Sequence, residues 1–341
     1  MSRRSFLGCL AAGALLSSCS SSHKTLNFYN WANYIGETTV PDFQKATGIR
    51  VNQDTFSSQD VLFAKLKIGL EGYDLVVATD YMVRRLIKHQ LLAPMRGVQG
   101  LEGLLPRFQH KPWDPEHRFS VPYLWGTTGV AFNSNYARPV PDSLNVLWEP
   151  RYKNRIGMLN EKRDTIGAAL LKLGLDGNSV RPEDLERAQA ALLAQKPLVR
   201  KYSTDMIDDL VRQEFHVALG YSGDVGQAHD SLPEVGYVIP REGGYLWADN
   251  LCIPHDAPHY EAAIAFVNFV LEPEVAAAIT NTVGYPNAVA RARELVDPKL
   301  LDNPLGYAPE QMLEQTIFQE DLGPGERLWD RVWEKVKLHS A

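Results

Sequence analysis

Aromatic and acidic residues recur together in short runs of this sequence. Trp31 and Tyr34 close the first apolar run, Tyr81 follows a later one, and Tyr221-Ser222-Gly223-Asp224 ends another. Gly243-Gly244-Tyr245-Leu246-Trp247-Ala248-Asp249-Asn250 and Gly284-Tyr285-Pro286 repeat the composition. Taken singly, each has an ordinary explanation, since Trp and Tyr pack cores and an Asp at a strand end caps a helix. Taken together, they suit an elongated organic cation, whose methylenes stack on rings while its ammonium groups meet carboxylates. Trp247 and Asp249 stand two apart, so in an extended segment both face one side, one as wall and one as charge partner.

Other chemistries fit less well. Gly220-Tyr221-Ser222-Gly223-Asp224 looks like a nucleophile elbow but lacks the glycine two residues after the serine, and no His or Asp partner can be assigned. His255 and His259 bracket Asp256-Ala257-Pro258 with no third or fourth metal ligand nearby. Gly323-Pro324-Gly325 has neither the spacing nor the lysine of a phosphate loop. No catalysis, metal or cofactor is expected.

The elements that must position these residues alternate. Residues 25–31 read as a strand, 38–46 as a helix stopped by Thr47-Gly48, and 49–56 as a second strand. Ser57 and Ser58 cap a helix through Leu70, residues 74–79 form a buried strand, and 80–90 the next helix, with Asp80 as its N-cap. The pattern βαβαβ opens an α/β sheet whose ligands are expected at the carboxyl ends of the strands. The same grammar returns at 155–160 with 165–173 and at 216–222, and 260–271 and 273–282 read as apolar helices. With no low-complexity linker, two α/β lobes would be joined by short crossings. These are expected near Gly126-Thr127-Thr128-Gly129, Trp247 to Asn250, and Ala290 to Arg293.

Ahead of the first strand, Arg3 and Arg4 precede an apolar run from Phe6 to Leu16, too short to span a bilayer permanently. It reads as an export signal of near twin-arginine type, by that route or the general secretory one. Leu16-Ser17-Ser18-Cys19 has the form of a lipobox with Cys19 as the lipidated residue, and Ser20 to Ser22 as a tether. Cys9 leaves with the signal, so Cys252 would stand alone, a small buried hydrophobe without a disulfide. The formal charge of −6 becomes −8 once Arg3 and Arg4 are removed, which disfavours nucleic acid and favours cationic partners.

At these residues the chain resembles the periplasmic spermidine/putrescine-binding proteins of ABC importers. The resemblance runs from about Leu26 to Lys337, with its most specific stretches at 28–34, 72–77, 121–126, 242–249 and 284–286. It implies the type II periplasmic binding protein fold, two α/β lobes closing on a polyamine. Residues 1–19 would be the signal, 20–24 the tether, 25–127 plus 248–293 one lobe, and 128–247 plus 294–341 the other. It nominates Trp31, Tyr34, Thr79 and Tyr81 from the first lobe. From the other side and the crossings it nominates Glu161, Asp164, Tyr221, Asp224, Trp247, Asp249, Tyr285 and Gln319. The implied partners are a polyamine, an ABC permease with its ATPase, and the membrane through the lipid alone. The protein would act as a monomer, exported to the periplasm or cell surface. A polyamine sensor feeding a membrane receptor is the alternative.

The departures bear on ligand choice. Ala32-Asn33 stands where many spermidine binders carry Thr-Glu, removing a hydroxyl and a carboxylate. Glu161 and Asp164 reverse a frequent Asp then Glu, exchanging reach on one helix face, and Tyr221 replaces a frequent Trp. Polyamine as a class is expected; putrescine, spermidine and longer homologues stay open.

Overall fold

The computed structural model describes residues 25–69 and 72–338. The export signal, Cys19 and the 20–24 tether lie outside the described residues. The chain begins with β1 (Thr25–Trp31), α1 (Thr39–Thr47), β2 (Arg50–Phe56), α2 (Gln59–Ile68), β3 (Leu75–Thr79) and α3 (Asp80–Lys88). Local chemistry marks these boundaries. The Ser58 side chain accepts from the Val61 N–H at 3.2 Å to open α2. Gly48 and Gly69 close α1 and α2 at φ 69° and 71°, a left-handed turn that glycine adopts without strain.

Next come β4 (Ser120–Asn133), β5 (Ile156–Met158), α4 (Lys162–Lys172), α5 (Pro182–Gln195), β6 (Val199–Tyr202), α6 (Ile207–Val211), β7 (Val217–Tyr221), α7 (Ser222–Ser231) and β8 (Val235–Val238). The last part holds β9 (Gly244–Cys252), α8 (Tyr260–Val270), α9 (Pro273–Val283), α10 (Pro298–Leu301), α11 (Glu310–Leu313), β10 (Thr316–Ile317) and α12 (Glu326–Leu338). Among the described residues no single helix is long and apolar enough to cross a membrane.

The strands form one sheet in the order β2-β1-β3-β9-β4-β7-β5-β6, with β8 on β4 and β10 on β9. β1 runs parallel to β2 and β3, and β5 runs parallel to β6 and β7. The parallel βαβ expectation therefore holds on each flank. The middle departs from it, because β4 and β9 are antiparallel to each other and to β7 and β3 beside them, while the short β10 runs parallel to β9. All of β4 and all of β9 are buried. Gly126 pairs with Trp247 and Thr128 with Tyr245, so two of the expected crossings are one hydrogen-bonded ribbon shared by both halves.

Alternating residues of β1 enter opposite cores, Phe28 meeting Phe43 and Phe266 while Tyr29 meets Phe56 and Leu62. In the other half, Phe132, Ile156, Phe215 and Val217 form one core, and Trp329 of α12 packs with Leu185 and Leu192 of α5. The third expected crossing is displaced. Val296 is buried with Ala276 and Ala292, and Leu300, Leu301 and Tyr307 pack on them. The chain thus stays on the first half past residue 294, and α12 is the element that packs on the second.

Asp80, expected as the N-cap of α3, is instead its first helical residue, with Thr79 in the cap position. Its fully buried carboxylate accepts from the Tyr81 N–H at 2.6 Å and the Ala248 N–H at 3.1 Å, tying α3 to β9. Burial drives its pKa up to about 8 against the pull of those two bonds.

Candidate ligand-binding site

β1, β3 and β7 end, and α4 begins just beyond β5, at one cavity of about 510 Å3 between the two halves. That is the size of a small-molecule site, roughly 300–1,000 Å3. Trp31, Tyr34, Thr79, Tyr81, Glu161, Asp164, Tyr221, Asp224, Trp247, Asp249, Tyr285 and Gln319 all line it. The structure thus brings together every nominated side chain, from elements at opposite ends of the sheet.

The walls are aromatic. Tyr34 meets Tyr285 edge-on at 5.4 Å between ring centroids, Trp247 leans on Tyr285 at 5.4 Å, and Tyr221 meets Trp247 edge-on at 5.7 Å. Bare backbone makes room for two of these rings. A Cβ at Gly126 would lie 2.7 Å from the Trp247 ring, and one at Gly223 would lie 2.5 Å from the Tyr285 ring. Gly284, at φ 72°, turns the chain out of α9 so that Tyr285 reaches the cavity.

Four carboxylates stand among the rings. Asp249 on β9 is 4 % exposed and accepts from the Thr79 hydroxyl at 2.6 Å. Burial pushes its pKa up to about 6, opposed by Thr79, Tyr34 and Trp31. Asp164 in the first turn of α4 accepts from the Thr128 hydroxyl at 2.7 Å, the Gln319 amide at 3.2 Å and the Tyr221 hydroxyl at 3.4 Å. Burial still leaves its pKa raised. Asp224 in α7 accepts from the Tyr285 hydroxyl at 2.5 Å and is pushed by burial up to about 7. Glu161, at the N-cap position of α4, is pushed well above the carboxylate range by burial first and by Asp164 and Asp60 next. Its buried Oε1 has no hydrogen-bond partner, an acceptor that a ligand donor would satisfy. Burying four acids this close is unfavourable unless a cation joins them.

Sequence reasoning missed other lining residues, among them Tyr29, Phe56, Gln59, Lys65, Asp205 and Gln227. Phe56 carried a readable signal, since it ends β2 as Trp31 ends β1, and the two rings pair in register and sit 4.3 Å apart. Lys65 carried none, because a lysine on a surface helix reads as a solvated face.

The residues weighed for other chemistry have structural partners. Ser222 is buried, and its hydroxyl accepts from the Thr127 N–H at 3.2 Å, joining α7 to β4. His259 is held by the buried Asp74 carboxylate, which accepts its N–H at 2.7 Å and lies 3.1 Å from its Nδ1. Cys252 is fully buried on β9, where burial raises its thiol pKa well above the ordinary value. Among the described residues no group of three or more His, Cys, Asp or Glu is placed to hold a metal ion.

Residues 38–305 match the family model for bacterial extracellular solute-binding proteins. The chain is 33 % identical over 337 residues to the spermidine/putrescine-binding periplasmic protein of Salmonella typhimurium, covering 96 % of this chain and 97 % of that one. It is 35 % identical over 342 residues to a putrescine/agmatine-binding protein of Pseudomonas aeruginosa, covering 93 % of this chain and 92 % of the relative. Among solved structures, a putative spermidine/putrescine ABC transporter from Listeria monocytogenes superposes with a TM-score of 0.89 at 29 % identity, covering 93 % of this chain and 100 % of that one.

Proposed function

The chain belongs to the bacterial extracellular solute-binding proteins, with their two-lobed type II fold, and from that premise we propose that it captures a protonated polyamine, putrescine or spermidine, and delivers it to an ABC permease. The observation that carries this reading is the lining: four buried carboxylates between aromatic rings, none of them closed by a salt bridge among the described residues. A polyamine supplies what those four carboxylates lack, ammonium donors on an apolar chain. The relatives named for putrescine, spermidine and agmatine support the same class.

In this reading Asp249, Asp164, Glu161 and Asp224 take the ammonium groups, with Thr79 and Gln319 orienting two of them. Trp31, Tyr34, Tyr81, Tyr221, Trp247 and Tyr285 stack on the methylenes. The two lobes, 25–127 plus 248–293 and 128–247 plus 294–341 with the second boundary shifted by the packing of α10 and α11, close on the ligand about the β4–β9 ribbon. The protein contributes binding rather than bond-making, a separate ATPase powers the permease, and the lipid on Cys19 keeps a monomer beside it outside the cytoplasmic membrane. No feature of the fold or cavity favours the sensor alternative.

Calorimetry with putrescine, cadaverine, spermidine and spermine tests the reading. One-to-one binding of at least one of them, with a ligand-dependent rise in melting temperature, is expected. Absence of both heat and melting shift for all four would overturn it. For the anchor, Cys19→Ala should move the protein from the membrane to the soluble fraction at unchanged affinity. Fatty-acid labelling that survives the substitution would exclude Cys19 as the lipid site.

A further inference from the structure

Away from the four carboxylates, the part of the cavity wall contributed by β1, β2 and α2 carries a cation of its own. Lys65 lines the cavity together with Tyr29, Phe56 and Val61. Its ammonium lies 4.3 Å from the Tyr29 ring centroid and 5.3 Å from that of Tyr73, two rings stacked 4.3 Å apart. It donates to the Tyr73 hydroxyl at 3.1 Å and sits 3.6 Å from the Asp54 carboxylate, to which the Tyr73 hydroxyl also donates. Rings and a carboxylate around an ammonium are the chemistry of the main site, here already satisfied from within. A lysine side chain is itself a primary ammonium on four methylenes, the same group that ends a polyamine.

We propose that Lys65 sets ligand length: its aminobutyl arm fills the ammonium box of Tyr29, Tyr73 and Asp54, so the site favours a short diamine over a triamine or tetraamine. This rests on the polyamine reading of the cavity. A two-headed ligand places both ammonium groups among Asp249, Asp164, Glu161 and Asp224 and never meets Lys65. A longer one extends a further ammonium along Trp31 and Phe56 toward a positive charge. It finds the aromatic faces that would stabilise it occupied, and must either displace Lys65 or bend back.

The test is calorimetry of the whole mature chain with putrescine, spermidine and spermine, comparing wild type, Lys65→Met and Lys65→Arg. Wild type should bind putrescine more tightly than spermine. Lys65→Met should leave putrescine within about twofold and tighten spermine by about tenfold or more, because the vacated box offers cation–π and charge contacts of that size. Lys65→Arg, which keeps the charge, should retain the wild-type preference. Melting curves of the three proteins should agree within a few degrees, Lys65 being part-exposed. Polyamine binding with an unchanged putrescine-to-spermine ratio in Lys65→Met, or a wild type that prefers spermine, would overturn the proposal while leaving the polyamine reading intact. Failure of wild type to bind any of the three would remove the polyamine reading and this proposal with it.

Discussion

Residues 161 and 162 are neighbours in the chain and opposites in their surroundings. Glu161 belongs to the cavity, where four carboxylates crowd together with no salt bridge to any of them among the described residues. Lys162, 3 % exposed, lies 2.6 Å from Glu326, 2.5 Å from Asp330 and 3.0 Å from Asp60. Burial works to lower its pKa, but Asp60, Glu326 and Asp330 together outweigh burial and raise it. Arg85 adds a second tie, 3.3 Å from Asp60 and 3.5 Å from Glu326. Asp60 and Arg85 come from α2 and α3, while Glu326 and Asp330 come from α12, so this cluster staples the two halves at the cavity's flank. Both regions gather acids around the place of an ammonium. One is filled by the chain itself and stabilises the fold; the other is left open, at a cost to the fold that a ligand can recover.

The largest effect should come from thinning the open region. Each buried charge-assisted bond contributes roughly 1.5–3 kcal/mol, so Asp164→Asn with Asp249→Asn should weaken polyamine binding by about a hundredfold to ten-thousandfold. The ligand-free melting temperature should hold or rise, since crowded acids have been removed. A double variant that melts lower, with affinity intact, would mean that these acids are structural.

Emptying the filled region should do the reverse. Lys162→Met takes the buried cation from three acids and leaves Asp60 and Glu326 to Arg85 alone; breaking a buried ion pair costs about 3–5 kcal/mol, so the ligand-free protein should melt roughly 5–10 °C lower. Polyamine affinity should stay within about tenfold. A collapse of affinity with unchanged melting would show that the two clusters are one site.

The smallest of the three effects is one of pH, and it sharpens the contrast because affinity and stability should move in opposite directions. Asp224 and Asp249 titrate near 7 and 6 in the folded protein, above their unfolded values, so the fold binds those protons more tightly than the unfolded chain. Their burden on stability is complete above about pH 7 and is relieved as pH falls through 7 and 6 toward the unfolded range. Ligand ammonium groups need the charged carboxylates, so affinity should weaken by on the order of tenfold between pH 8 and 6 while the ligand-free melting temperature rises. Calorimetry and melting curves across that range would expose parallel trends, which this account forbids.

Much of the site was legible because polarity changes sharply where strands end. Trp31, Tyr81, Tyr221 and Asp224 announce themselves as rings or acids just beyond apolar runs, and β1 and β3 are bounded by turn residues at the observed places. Thr79, Glu161, Asp164 and Gln319 look like ordinary caps and loop polars, and only the resemblance singled them out. The central ribbon was hard to read for a different reason. β4 contains Pro122 beside a register shift, and Gly126 and Gly129 further along, features that normally argue against a central strand. Here they serve contacts across the sheet that no local window contains, such as Trp247 against Gly126. Lys65 and Lys162 show the same limit, since a lysine's sequence neighbours do not reveal whether a distant segment will enclose it.

The adjacency of Glu161 and Lys162 makes the length of the short turn before α4 as consequential as its composition. Successive residues at a helix start point about 100° apart. Losing one residue between Met158 and Glu161 would set Lys162 in the place of Glu161, facing the cavity, and gaining one would set Glu161 in the place of Lys162, facing the acids of α12. A deletion would plug the site with its own chain, and an insertion would make the staple repel itself. Related sequences that keep this architecture should therefore vary here by replacement, and insertions or deletions should collect elsewhere.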